Sequence, residues 1–117
     1  MPSGRIHKVA EAIKQEVAHI LQQEIKDPRI GFITVTHVKV TADLRQATVY
    51  FSLLEGHGTI SGTEAGLKSS LGYIRRLLGD RLRLRVTPEL VFRSDASIEE
   101  SIRMSKLLDD LKKTELA

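Results

Sequence analysis

Residues 68–93, with the sequence KSSLGYIRRLLGDRLRLRVTPELVFR, decide how the chain is interpreted. This window holds seven basic and two acidic residues, so its net charge of +5 exceeds the +3 of the whole 117-residue chain. Six of the seven cations are arginines, whose planar guanidinium groups match phosphate oxygens. The window therefore favours a nucleic acid as partner. The alternatives are a basic face that only keeps the protein soluble and one that docks on an acidic protein surface.

The first half of the window predicts two helices separated by a kink. Apolar residues recur there at intervals of three and four, as on the buried face of a helix. Ser61 and Glu64 form a capping box at which this helix is expected to begin. Gly72 lies within the apolar pattern and predicts either the kink or a close approach of another part of the chain. Gly79 predicts the end of the helix.

The second half of the window predicts extended chain. Arg81, Arg83 and Arg85 alternate with apolar residues, so an extended backbone would place all three arginines on one side. Beyond Pro88, apolar residues alternate again up to Arg93 and predict a strand. Ser97 and Glu100 form a second capping box, which predicts a final helix with an apolar stripe as far as Leu111.

The residues before the window predict a helix and a hairpin. A helical stripe covers residues 5–26, with Ser3 as its cap and Asp27-Pro28 at its end. Residues 32–40 predict a strand whose apolar phase slips, which indicates a bulge near Thr36-His37. Residues 47–53 alternate as a half-buried strand, and the short turn at 41–46 makes the pair antiparallel. Gly56-His57-Gly58 is expected to be a flexible linker.

Composition excludes several classes of protein. With 41% hydrophobic and 28% charged residues the chain is typical of one globular domain, 1–117. It has no cysteine, no signal peptide and no apolar run of the ~20 residues that span a bilayer, so we expect a cytoplasmic protein without membrane contact. Four scattered histidines predict no metal site. No nucleophile or phosphate-loop motif is present, so we expect no catalytic residue, no cofactor and no enzyme.

The low content of aromatic residues, 4%, argues against a protein that binds RNA mainly by base stacking. The element order argues in the same direction, because an RNA-recognition motif requires βαββαβ order and aromatic residues in two signature strands. The order here is that of a type II KH domain, αββααβ, followed by a C-terminal helix. Layer rules then favour an α+β fold with a three-stranded sheet and helices on one face. KH domains hold nucleotides with a GXXG loop, which this chain lacks near Ser70-Leu71-Gly72.

Four motifs make the resemblance specific. They are Arg5-x-x-Lys8-Val9, the run from Glu24 to Gly31 (EIKDPRIG), Gly72-Tyr73-Ile74-Arg75, and the run from Arg83 to Phe92 (RLRVTPELVF) that leads to Asp95. Over nearly its whole length the chain resembles the ribosome-binding factor A family of bacterial maturation factors, which have a KH-like fold. The family replaces GXXG with an Ala-x-Gly interhelical kink, and this chain departs from that pattern in having Ser70 in place of the alanine.

The resemblance implies a partner and a role. The expected partner is the immature 30S subunit, contacted through 16S rRNA near its 5′-terminal helix and decoding region. The expected role is late assembly and rRNA processing, including adaptation to cold, with release before translation begins. We expect the chain to act as a monomer.

The residues expected to contact RNA combine the basic window with the first helix. Gly72 would let RNA approach the backbone, and the cations would bind phosphates. Structural pairing of Arg83 and Arg85 with Glu89 or with acids of the final helix is the alternative for those two. The candidate RNA-binding residues are Arg5, Lys8, Lys68, Ser70, Gly72, Arg75, Arg76, Arg81, Arg83 and Arg85.

Overall fold

The computed structural model describes residues 4–30, 33–54 and 58–95, together with Leu108 and Leu111. Its elements, in chain order, are helix α1 (Gly4–Gln23), a 3-10 turn (Pro28–Ile30), strands β1 (Ile33–Val40) and β2 (Gln46–Leu53), helix α2 (Ile60–Leu82) and strand β3 (Glu89–Ser94). The predicted α+β class is confirmed. The Ser3 cap and most of the linker at 56–58 lie outside the described residues. So does the final helix, except that Leu108 and Leu111 are helical.

The three strands form one sheet in the order β1-β2-β3. β1 and β2 pair antiparallel, and the register shifts between Val35 and His37, which confirms the predicted bulge. β2 and β3 pair parallel. Parallel neighbours need a long crossover, and α2 supplies it. The chain therefore returns to the sheet with β3 at one edge.

The core lies between the helices and one face of the sheet. Ala47, Val49 and Phe51 alternate along β2 and are fully buried, while the residues between them are only half-buried. The helices contribute Ile13, Val17, Ile20, Leu67, Ile74 and Leu78 to the same cluster. Because all of these residues belong to one cluster, the predicted arrangement with helices on one face is confirmed, and the other face of the sheet carries no described helix.

Helix α2 differs from the predicted pair of helices. It begins at Ile60 and is capped by Thr59, whose side chain accepts a hydrogen bond from the backbone N–H of Gly62 at 3.0 Å. The capping box predicted from Ser61 is therefore wrong. α2 continues without interruption through Gly72, so the division into two helices is corrected to one. A Cβ built on Gly72 would meet no atom within 4 Å, so the predicted close approach is also absent within the described part of the chain.

Gly79 does not end α2. The helix runs on to Leu82 and is capped by Arg83, which has a left-handed backbone with φ of 50°. Gly79 is instead a packing residue, because a Cβ there would lie 2.5 Å from Oγ1 of Thr87. Arg81, Arg83 and Arg85 consequently do not lie on one side of an extended segment. Arg81 belongs to the helix, and the backbone of Arg83 has a left-handed conformation. Helix α1 also ends earlier than predicted, at Gln23, a difference within the usual variation at fraying helix ends.

Candidate nucleic-acid interface

One flank of α2 forms a groove with the edge strand β3. The groove has a volume of about 600 Å³. Its lining residues, which define the α2–β3 groove, are Tyr50, Glu64, Leu67, Lys68, Leu71, Leu90, Val91, Phe92, Arg93 and Ser94. Among the described residues β3 pairs only with β2, so the backbone groups on its outer side have no strand partner there. The groove thus combines apolar residues, a strand edge without a partner among the described residues, and the charged side chains of Lys68, Arg93 and Glu64.

Lys68 is the predicted residue that the structure places in this groove. It is exposed, and it makes no hydrogen bond or ion pair with any other described residue. Gly72 lies one turn further along α2, and it is exposed as well. A helix surface without a side chain lets a ligand backbone come closer to the helix. Lys68 and Gly72 are therefore both exposed on successive turns of α2, and their contact with RNA stays a prediction.

Arg75 has a structural role that the sequence did not reveal. Its Nη2 donates to the carbonyl oxygen of Thr87 at 2.8 Å, and its Nε donates to that of Pro88 at 3.1 Å. These bonds tie α2 to the segment that leads into β3. The guanidinium therefore helps to set the width of the α2–β3 groove and has fewer donors left for a phosphate.

Arg81 is occupied by two carboxylates of α1. Its guanidinium donates to Glu24 at 2.8 Å and to Glu16 at 3.1 Å. These hydrogen bonds, chiefly the one that Arg81 donates to Glu24, raise the pKa of Arg81. The side chain links the two helices, and its charge is balanced within the protein. Arg81 is consequently a poor candidate for the RNA contact that the sequence predicted.

The remaining predicted cations are exposed and unpaired within the described residues. Arg76 lies on α2 with its guanidinium carbon 5.7 Å from the ring centroid of Tyr73. Arg83 and Arg85 follow the end of α2, and neither forms an ion pair with Glu89 or any other described residue. Arg5 and Lys8 lie in the first turns of α1, before its first buried residue, Ile13.

Ser70 lies on the opposite flank of α2 from Lys68. It lines a second surface with Ser69, Tyr73 and the Glu24–Arg29 segment. In that segment Arg29 Nη2 lies 2.7 Å from Asp27 Oδ2. The side-chain hydrogen bond from Arg29, followed by that from its backbone N–H, lowers the pKa of Asp27. The structure therefore does not bring Ser70 together with the groove cations.

A pair of rings on the sheet face that carries no described helix was not predicted from the sequence. His37 and Tyr50 stack with centroids 4.2 Å apart and an interplanar angle of 13°. The bulge prediction located His37, but only the strand register shows that it faces Tyr50. Period-two alternation places Tyr50 on the outer face of β2, which was the one signal available in the sequence.

Two other kinds of site are absent from the part of the chain that the structure describes. Within the described ranges, no group of three or more His, Asp or Glu residues is arranged to hold a metal ion. No helix among those same residues is both long and apolar enough to cross a membrane.

The fold and the groove define a small KH-like α+β module with exposed basic residues along α2. A family model for ribosome-binding factor A matches residues 5–108. A ribosome-binding factor A of Geobacter sulfurreducens is 46% identical over 108 residues, which cover 92% of each chain. The chain therefore belongs to the ribosome-binding factor A family.

Solved structures agree with this fold. The crystal structure of ribosome-binding factor A from Thermus thermophilus has a TM-score of 0.69 at 24% identity, over 76% of this chain and 94% of that one. Coordinates of the Thermus thermophilus factor fitted into a cryo-EM map of its complex with the 30S subunit have a TM-score of 0.64 at 24% identity, over 74% of this chain and 91% of that one. At this identity the likeness concerns the fold, and the KH-like arrangement is confirmed.

Proposed function

We propose that this protein binds the immature 30S ribosomal subunit through 16S rRNA and assists the late steps of its assembly. Contact with the 5′-terminal helix and decoding region, a role in rRNA processing, and growth at low temperature are parts of the same proposal. Family membership supports the partner. The observation that carries the mode of binding is the α2–β3 groove, in which Lys68 and the outer edge of β3 have no partner among the described residues.

The groove suits single-stranded RNA held mainly by its backbone. Lys68 on the wall of the groove and Arg76 on the exposed side of α2 would neutralise phosphates, releasing counterions. The uncovered backbone of β3 would accept and donate hydrogen bonds to base edges lying over Leu90 and Phe92. Gly72 would allow the sugar-phosphate chain to approach the helix.

We infer a binding protein without catalysis that acts in the cytoplasm, where its partner is assembled. It would favour one arrangement of the rRNA by binding it more tightly than competing arrangements. Such a factor shifts the equilibrium only by the ratio of its two affinities. Its effect on maturation should therefore saturate with occupancy of the subunit and require no nucleotide hydrolysis.

The test is cosedimentation with immature 30S subunits, before and after mild ribonuclease treatment. Lys68→Ala combined with Arg76→Ala removes two unpaired cations from α2 and should weaken binding about tenfold, or ~1.4 kcal/mol. Lys14→Ala combined with Arg45→Ala removes the same charge elsewhere and should bind nearly as the wild type does.

Two results would refute the proposal. If both double variants bound equally well, α2 would not contact the rRNA. If ribonuclease treatment left cosedimentation unchanged, the basic surface would be docking on a ribosomal protein, as in the adaptor alternative.

A further inference from the structure

The face of the sheet opposite the helices has a composition unlike that of the core face. In the register of the sheet, Tyr50 on β2 lies between His37 on β1 and Arg93 on β3. Lys39 lies two residues after His37 on the same side of β1. The side chain of His37 is 43% exposed, and Lys39 and Arg93 are exposed. These four residues define the open sheet face.

The two rings are held in place before any ligand arrives. Tyr50 and His37 stack at 4.2 Å. The bulge at Thr36 produces this pairing, because it shifts the register so that His37 lies opposite Tyr50. Thr36 Oγ1 donates to Oδ2 of the buried Asp95 at 2.7 Å, and Nδ1 of His37 lies 3.4 Å from the same oxygen. Asp95 therefore anchors both the bulge and the imidazole.

Cations flank the rings. Nζ of Lys39 lies 5.6 Å from the centroid of the Tyr50 ring, and Arg93 lies on the β3 side of Tyr50. Neither Lys39 nor Arg93 forms an ion pair with a described residue. The one carboxylate at the rings within the described ranges, Asp95, is 8% exposed and is already hydrogen-bonded. The net electrostatic effect at this face is thus attractive for an anion.

This surface is continuous with the α2–β3 groove. Tyr50 and Arg93 line the groove and also belong to the open sheet face. An RNA strand bound along β3 in the groove could therefore pass around the edge of the sheet and reach the two rings. It would remain in contact with basic side chains along this path. The rings supply π-faces, and the cations supply phosphate contacts, which together are the requirements for binding unpaired nucleotides.

We propose that the open sheet face binds an unpaired nucleotide of the RNA, whose base stacks on the His37–Tyr50 rings while Lys39 and Arg93 contact its phosphates. This inference rests on the proposed function for the identity of the ligand as RNA, and it adds a second contact surface and a preference for unpaired bases. It adds one stacking contact to a mode of binding that, as the low aromatic content indicates, does not depend mainly on base stacking.

The test compares Tyr50→Phe, which keeps the ring, with Tyr50→Thr, which removes it from a strand position that threonine tolerates. Each variant is titrated with a fluorescent CAA-repeat RNA and with an abasic ribose-phosphate strand of the same length. Because one base stacks on one ring, Tyr50→Thr should lower the affinity for the CAA-repeat RNA about tenfold. Tyr50→Phe should bind like the wild type, and the abasic strand should show no difference between the two variants.

An NMR measurement on the wild-type protein keeps the test independent of how the variants fold. Ring protons of His37 and Tyr50 should shift upfield when the CAA-repeat RNA is added and should move little with the abasic strand. Unchanged ring signals during saturable binding would overturn this inference. If the ring signals did not change but the double variant Lys68→Ala with Arg76→Ala lost binding, the proposed function would be supported without this inference. If that double variant also bound the RNA normally, the proposed function would fail as well.

Discussion

Two glycines of α2 allow the same substitution to be tested in opposite surroundings. Gly72 and Gly79 lie seven residues apart on one continuous helix. Replacing glycine with alanine inside a helix stabilises it by about 0.5–1 kcal/mol, because the unfolded chain loses freedom. At Gly72 the new Cβ meets no atom within 4 Å. Gly72→Ala should therefore raise the free energy of unfolding by that amount.

At Gly79 the same Cβ would lie 2.5 Å from Oγ1 of Thr87. The backbone of Thr87 is held by the hydrogen bond that its carbonyl oxygen accepts from Arg75, and its Cβ and Cγ2 also lie 3.6 Å from the new Cβ. Overpacking of this kind costs about 1–3 kcal/mol, which outweighs the gain in helix propensity. Gly79→Ala should therefore destabilise the protein by about 1 kcal/mol, which leaves the two variants about 2 kcal/mol apart.

Urea unfolding followed by far-UV circular dichroism measures both variants. Thr87→Ala in the Gly79→Ala background removes the opposing hydroxyl and should recover most of the loss, which provides a double-mutant cycle. Equal stabilisation by both substitutions would show that the Thr87 contact does not limit the site. Destabilisation by Gly72→Ala would show that the helix is interrupted at Gly72 after all, as the sequence pattern suggested.

Two further predictions concern ion pairs. Arg81→Ala should lower the melting temperature, because it removes the partner of Glu16 and Glu24 between the helices. The affinity for RNA should stay nearly unchanged. A loss of affinity at unchanged stability would show that Arg81 contacts the RNA. For Asp27, a pKa held below 3.8 in the folded state means that its stabilisation is present above that value and disappears as the pH falls through the folded pKa. Thermal melts should therefore find Asp27→Asn less stable than wild type at neutral pH and equal to it in strong acid, and a difference that persisted in acid would exclude this linkage.

The sequence predicted the features that depend on neighbouring residues. It did not predict the features that depend on contacts between residues far apart in the chain. Alternation and the phase slip at Thr36-His37 predicted the hairpin and its bulge, because both are properties of neighbouring residues. Gly79 was mistaken for a helix end, because its role depends on Thr87, a contact across the turn after α2. The carboxylate partners of Arg81 are more than fifty residues away in the chain, and no spacing rule connects them.

The charge of the basic window overstates the charge available to RNA. Of its seven cations, Arg81 is neutralised by α1, and Arg75 directs its guanidinium to two backbone carbonyl oxygens. Five remain unpaired within the described residues, and two of these, Lys68 and Arg93, line the α2–β3 groove. Each phosphate contact by a single strand contributes about 0.7 to the slope of log K against log salt. The window alone therefore supports a slope no steeper than about −3.5. A steeper slope would require further cations, such as Arg5 and Lys8 at the start of α1 or Lys39 on the open sheet face, all of which are exposed.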